Sequence, residues 1–294
     1  MERENKQKLI QQAATEYLNS QHNIEPLSLT VLSKKYHIKR ETLSKYIKLL
    51  GGTIINRTNA KSFDNTVFDY IDTEEKSYWL GFLYADGCVT VNNSVELGLI
   101  KSDFSHLVKY RKFLKLKSNT SIKINENLCR VRVSNYNLAL QLKNKGCVSR
   151  KSLILTFPNK NVFENENLIR HFIRGYVDGD GCLRFYKNKK GVYVCDLEIT
   201  GTKMFLNELK TYLNVPGGFI RNCSYREHST TVHKLSYRCT GARIVARLLY
   251  QNSKIYLDRK YEIYKSFCRF EEQSSNAKSS KIGEGWDANT ELID

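Results

Sequence analysis

Two carboxylates stand at matched places in a duplicated segment, and they are the residues of this chain best placed to do chemistry. The first copy reads Trp79-Leu80-Gly81-Phe82-Leu83-Tyr84-Ala85-Asp86-Gly87, and the second reads Ile173-Arg174-Gly175-Tyr176-Val177-Asp178-Gly179-Asp180-Gly181. Each is a mostly apolar stretch that ends in an Asp-Gly step and is followed by a cysteine, Cys88 or Cys182. A single Asp-Gly step is ordinarily a turn after a helix; two at matched positions form a pair. Gly81 and Ala85 lie four apart, as do Gly175 and Gly179, so each helix carries a stripe of small residues. Facing stripes let backbones approach closely, by the steric logic of small-xxx-small pairs. That brings Asp86 and Asp180 together at helix C-termini, where the helix dipole is already negative. Two such carboxylates repel unless they share a proton or a cation. A hard divalent ion with oxygen ligands resolves the conflict, with magnesium expected and manganese as a substitute. Against a basic surface such a site suits phosphodiester hydrolysis, by water activation and stabilisation of the leaving oxygen.

The elements that must position these acids follow from periodicity and punctuation. Asp72 and Thr73 start the first motif helix, with Glu74 and Glu75 in the first turn where negative charge is favoured. After Gly87, strands at 88–91 and 94–100 form a hairpin around Asn92-Asn93. A helix at 103–116, a second hairpin from 121–124 and 128–133, and a helix at 138–145 closed by Gly146 complete one unit. The same order returns after Asn165: a helix to Asp180, strands at 182–186 and 192–200, a helix at 203–213, strands at 219–225 and 232–239, and helices at 242–249 and 258–270. The spacing therefore predicts an α+β fold of two tandem αββαββα units. The domain boundaries expected are 1–52 for an N-terminal module, 53–71 for a polar linker, 72–160 and 161–272 for the two halves, and 273–294 for a mobile tail.

The N-terminal module reads as three short helices. Leu9-Ile10, Ala13-Ala14 and Tyr17-Leu18 mark the first. Ser28 caps the second, and the third runs over 40–50 and ends at Gly51-Gly52. A tight turn between the last two makes the module similar to a helix-turn-helix, and Arg40, Thr42, Lys45 and Lys48 lie away from Leu43, Ile47 and Leu50, on a face suited to a major groove. Such patterns are degenerate, and a small bundle packed on the main domain accounts for them as well.

Charge points to the partner. The chain holds 47 Lys+Arg against 30 Asp+Glu, a formal net charge of +17, and an excess of that size marks a polyanion-binding protein. From Glu271 to Asp294 there are six acidic and two basic residues, so the rest is more basic still. In the strands, Leu183 and Phe185 alternate with Arg184 and Tyr186, and Lys187, Lys189 and Lys190 fill a hairpin tip. Val131 and Val133 alternate with Arg130 and Arg132, Lys123 lies on the paired strand, and Arg221, Tyr225, Arg226, His228, Lys234 and Arg238 enrich the last hairpin. Period-two alternation puts one face on the core and leaves the other for bases and phosphates. Eight cysteines with no Cys-x-x-Cys unit argue against structural zinc. They read as buried or half-buried thiols of a reducing compartment, with Cys88 and Cys182 packed beneath the site. No apolar run is long enough to span a bilayer and no secretory core follows Met1, so a soluble intracellular protein without a membrane partner is expected.

With both motifs in view, the chain resembles the LAGLIDADG homing endonucleases in their single-chain, two-motif form, over roughly residues 72–270. The resemblance implies that the motif helices form the interface between two similar halves. It implies that each half offers a curved antiparallel sheet, the pair making a DNA-binding saddle, and that the acid before the final glycine binds metal. By position these acids are Asp86 and Asp180, with the Ala85 and Gly179 carbonyls as further ligands. Tyr84 stands where the family often has another Asp, while Asp178 keeps it, with a structural or capping role. The solvent-organising lysine that the family often places late in each half maps to Lys151 and Lys260, with Lys101 as a third choice. The expectation is a monomeric, magnesium-dependent, site-specific double-strand DNA endonuclease whose unlike halves read a long asymmetric target. Homing of an intron, an intein or a free-standing gene is what the resemblance implies. An intron RNA maturase bound to structured RNA, or a DNA-binding regulator without nuclease activity, is the alternative on this scaffold. A protein-assembly role for the helix-turn-helix is a third.

Overall fold

The structure is a computed structural model that describes residues 2–20, 27–52, 54, 63–116, 122–147, 154–223 and 232–283, with the side chains of residues 4–273 among them. Two compact units are present, one made of residues 1–60 with 134–136 and the other of 61–133 with 137–294.

The first unit contains α1 (Glu2–Ser20), α2 (Leu29–Lys35) and α3 (Arg40–Leu49). Ser28 caps α2 by accepting from the Val31 N–H. Ala13, Ala14 and Tyr17 of α1 share a core with Leu29, Leu32, Ile38, Leu43 and Ile47. The α2–α3 turn is tight because His37 takes φ +51°, a left-handed conformation more usual for glycine. Leu50 is 45% exposed rather than buried with Leu43 and Ile47, because α3 ends at Leu49.

The second unit holds both halves apart from residues 134–136. The first half is α4 (Glu74–Ala85), β1 (Gly87–Val89), β2 (Ser94–Ile100), α5 (Phe104–Phe113), β3 (Lys123–Ile124), β4 (Leu128–Ser134) and α6 (Tyr136–Asn144). The second half is α7 (Ile169–Asp180), β5 (Gly181–Lys187), β6 (Tyr193–Gly201), α8 (Lys203–Leu213), β7 (Phe219–Asn222), β8 (His233–Arg238) and α9 (Cys239–Tyr250), followed by α10 (Asp258–Gly283). Each half builds a four-stranded antiparallel sheet with one topology, β1-β2-β4-β3 and β5-β6-β8-β7. The expected α+β fold, two αββαββα units in tandem, is therefore present.

Local signals explain the ends. Thr73 accepts from the Lys76 N–H and starts α4, and Asn93 turns the β1–β2 hairpin with φ +56°. The strand expected to reach residue 239 stops at Arg238, because Cys239 takes φ +47° and opens α9. The last helix continues past residue 273, where the mobile tail was expected to begin, to Gly283.

A single apolar core runs through both halves, with α4 and α7 at its centre. The chain segments entering these helices pair through a parallel bridge between Ile71 and Phe163. Among the described residues no helix is long and apolar enough to cross a membrane.

The cysteine expectation is corrected in part. Cys129, Cys147 and Cys195 are buried, but Cys88 and Cys182 are exposed. Both strands begin at the glycine, so Val89 and Leu183 turn inward and the cysteines turn outward with the polar face.

Candidate active site

Glycine lets the two motif helices close on each other. A Cβ added to Gly81 would overlap the Phe172 carbonyl oxygen, and one on Gly175 would overlap that of Tyr78. Gly179 meets the Cβ of Ala85, so only one member of that pair can carry a side chain. The four interface residues expected from the sequence are thus all at the contact, and backbone packs on backbone there.

This approach delivers an acid across the interface. The Asp86 Oδ2 lies 3.2 Å from the point where a Gly179 Cβ would begin, so the carboxylate of α4 sits against the end of α7. Asp86 is exposed and Asp180 half-buried. Tyr176, buried one turn before Asp180, donates to the Thr200 carbonyl at 2.8 Å. Burial pushes its hydroxyl well above the ordinary tyrosine range, with Asp180 and Asp86 adding their charge. Both acids therefore act on one side chain. Among the described residues no three His, Cys, Asp or Glu side chains gather as a metal site. The oxygen-only pair at the junction still fits a hard cation that takes its other ligands from carbonyls, water or phosphate.

A buried polar network braces the junction. Asp178 accepts from the hydroxyls of Tyr78 at 2.7 Å and Tyr250 at 2.6 Å, and from the Leu257 N–H at 2.8 Å. Burial raises its pKa against the pull of Lys260 and of those donors. Its structural role matches the sequence expectation. Tyr84, at the matching place in α4, donates its hydroxyl to the Lys145 carbonyl, so the two motifs fill one position with opposite hydrogen-bonding senses. Arg174, fully buried, joins Glu74 at 2.7 Å to the Leu249 and Ile255 carbonyls, both at 2.9 Å. Glu74 was expected only to favour a helix start; it also receives the Lys254 N–H at 2.7 Å.

Lys260 departs from expectation. The residue is 1% exposed, and its ammonium donates to the carbonyls of Val177 at 2.6 Å, Asp178 at 2.7 Å and Gly181 at 2.6 Å. An ammonium has three N–H donors, so none remains to hold a water. Burial lowers its pKa to about 8, while Asp178 and more weakly Asp86 draw it upward. Lys101 is exposed at the start of the turn after β2. Lys151 lies outside the described residues, as do Tyr225, Arg226 and His228.

The remaining expected DNA contacts are solvent-facing. Arg130, Arg132, Arg184, Tyr186, Lys187, Lys189, Arg221 and Arg238 are exposed on or beside the sheets, as is Lys123, and Lys234 is half-buried. Arg40, Thr42, Lys45 and Lys48 are all exposed on α3. The sequence reading missed two acids among these bases. Glu96 lies across from Cys88, and Glu198 across from Cys182. Glu96 pairs with Arg130 at 2.9 Å and approaches Arg132 at 3.9 Å, while Glu198 pairs with Arg221 at 2.5 Å and Lys234 at 3.5 Å. The signal was available, since each is the second strand's acid opposite the residue after the motif.

No protein-family model matches the chain, and no curated protein matches it in sequence. Solved structures with similar folds include the meganuclease I-SmaMI bound to uncleavable DNA, at 14% identity, covering 69% of this chain and 91% of that one, TM-score 0.46. The LAGLIDADG homing endonuclease I-LtrWI bound to target DNA is 14% identical, covering 75% and 100%, TM-score 0.47. The LAGLIDADG meganuclease I-AabMI bound to uncleaved DNA is 17% identical, covering 71% and 97%, TM-score 0.46. At these scores the likeness carries no functional weight of its own.

Proposed function

We propose that the chain is a divalent-metal-dependent endonuclease that cuts both strands of a long, asymmetric DNA site. The observation that carries this reading is the crossing of Asp86 onto the end of α7 at Gly179. The pseudo-twofold junction thereby holds one acid from each half. Asp86 and Asp180 would hold the ion with the Ala85 and Gly179 carbonyls, and magnesium is the natural choice for such oxygen ligands, with manganese as a substitute. Bound there, it would supply an activated water and stabilise the leaving oxygen. The protein's own share is positional. Tight helix contact fixes the acids, and the basic sheet faces orient the duplex over them, through phosphate contacts that set register and base contacts that choose sequence. Unlike side chains on the two sheets favour an asymmetric target read by a monomer. The N-terminal module adds contacts through Arg40, Thr42, Lys45 and Lys48 in an adjacent major groove. Mobility of a host element is the biological use that fits such cutting.

Selection of cut sites from a randomised duplex library in magnesium, with calcium as a parallel arm, tests the reading. Cutting at one long asymmetric sequence supports it. Tight, salt-sensitive binding to structured RNA with no DNA cutting in any divalent metal would replace it with a maturase role.

A further inference from the structure

On the second sheet a buried acid stands between two exposed arginines. Asp196 of β6 is paired in register with Arg184 of β5 on one side and Arg238 of β8 on the other, so the three side chains share one row on the outward face. Both arginines are exposed, whereas Asp196 is 8% exposed. Its Oδ2 accepts from the Tyr186 hydroxyl at 3.1 Å and lies 3.8 Å from the Arg184 guanidinium. Its Oδ1 is buried and has no hydrogen-bond partner among the described residues. One row along the same face, the hydroxyl of buried Ser236 is also without one. A buried acceptor left unpaired costs stability, and a bound donor would recover it. The first sheet lacks this acid. Counting from the matched Glu96 and Glu198, Ser94 holds the place of Asp196, and its Oγ accepts from Arg132 at 3.4 Å.

We infer that Asp196 and Arg184 act together as a base-reading pair that selects one G·C pair in the major groove of the half-site under the second sheet. The inference rests on the DNA-binding reading proposed above. Along its major-groove edge a G·C pair presents two acceptors, guanine N7 and O6, and then a donor, the free N4–H of cytosine. A guanidinium beside a carboxylate presents donors and then an acceptor, which is the complementary order. An A·T pair places its donor between two acceptors and does not match. Arg184 would donate to the guanine, and Oδ1 of Asp196 would accept from the cytosine. Arg184 and Tyr186 end in solvent, so turning them toward a duplex uncovers the acid without moving the strand. Ser94 offers a hydroxyl, which both donates and accepts and so discriminates little. The preference therefore belongs to one half-site alone.

Selection of bound sites from randomised duplexes by the full chain in calcium tests this. The wild type should require G·C at one position of one half-site. Arg184→Ala and Asp196→Ala should each lower that preference by about tenfold and leave the other positions unchanged. N4-methylcytosine at that position removes only the free donor, and it should weaken binding of the wild-type protein by about tenfold. That arm decides the matter even where Asp196→Ala does not fold. Effects of the two variants at different positions, a loss of affinity spread over all positions, or wild-type binding indifferent to the methyl group overturns the inference and leaves Asp196 as a neutraliser of its arginines. Absence of sequence preference at every position overturns the proposed site-specific cutting with it.

Discussion

At the scale of single residues, the proposed metal junction is braced by buried groups behind the two acids. Asp178 gathers two tyrosine hydroxyls and a backbone N–H, and His106 closes the chain with its Nε2 3.0 Å from the Tyr78 hydroxyl. Burial lowers the His106 pKa to about 3, and His171 is lowered likewise by burial and by Arg174. Between pH 6.5 and about 3 the unfolded chain takes up a proton that buried His106 refuses. Stability should therefore fall as pH falls through that window, by about 1.4 kcal/mol per pH unit from this group. Urea midpoints from pH 7.5 to 4.5 should show a shallower slope for His106→Asn; an identical slope contradicts the assignment. The approach of Asp86 to the end of α7 was legible in the sequence because the motif repeats. The true partners of Lys260 were not, because they are backbone carbonyls that no side-chain pattern reports. The outward turn of Cys182 was available from Leu183 pointing inward, since residues alternate along a strand.

At the scale of elements, the α4–α7 contact is the part that tolerates least. Gly175→Ala would drive a methyl into the Tyr78 carbonyl oxygen, and such overpacking costs about 1–3 kcal/mol or more. Its thermal midpoint should fall by several degrees, whereas Gly98→Ala, whose Cβ would have its nearest neighbour at 3.7 Å, should stay near wild type. Equal losses would mean that close approach is not the reason for glycine at 175. The sheets make a different claim. Glu96 and Glu198 fix the directions of basic side chains on the exposed faces, so Glu96→Gln should widen the range of sequences bound while raising affinity for nonspecific duplex. Unchanged selectivity in a binding-site selection would show that Arg130 and Arg132 act independently of Glu96. Element order was readable from turn residues and alternation; sheet order was not, because the placement of β4 beside β2 is a long-range pairing that local periodicity leaves open.

At the scale of the whole molecule, a net charge of +17 fits the proposed binding to DNA phosphates, and on that reading affinity should drop steeply with salt, roughly in proportion to the phosphates neutralised. Removing residues 1–60, the first compact unit apart from a three-residue segment, should weaken DNA binding yet leave the cut position unchanged. A shifted cut position would place that unit in the cleavage machinery instead. On the proposed reading, one acid from each half makes a single cleavage centre. Its most direct test is magnesium-dependent cutting of the selected DNA site by the wild type and by Asp86→Asn/Asp180→Asn. The double variant should bind that site with near-native affinity and leave both strands intact; cutting at an undiminished rate would contradict the account.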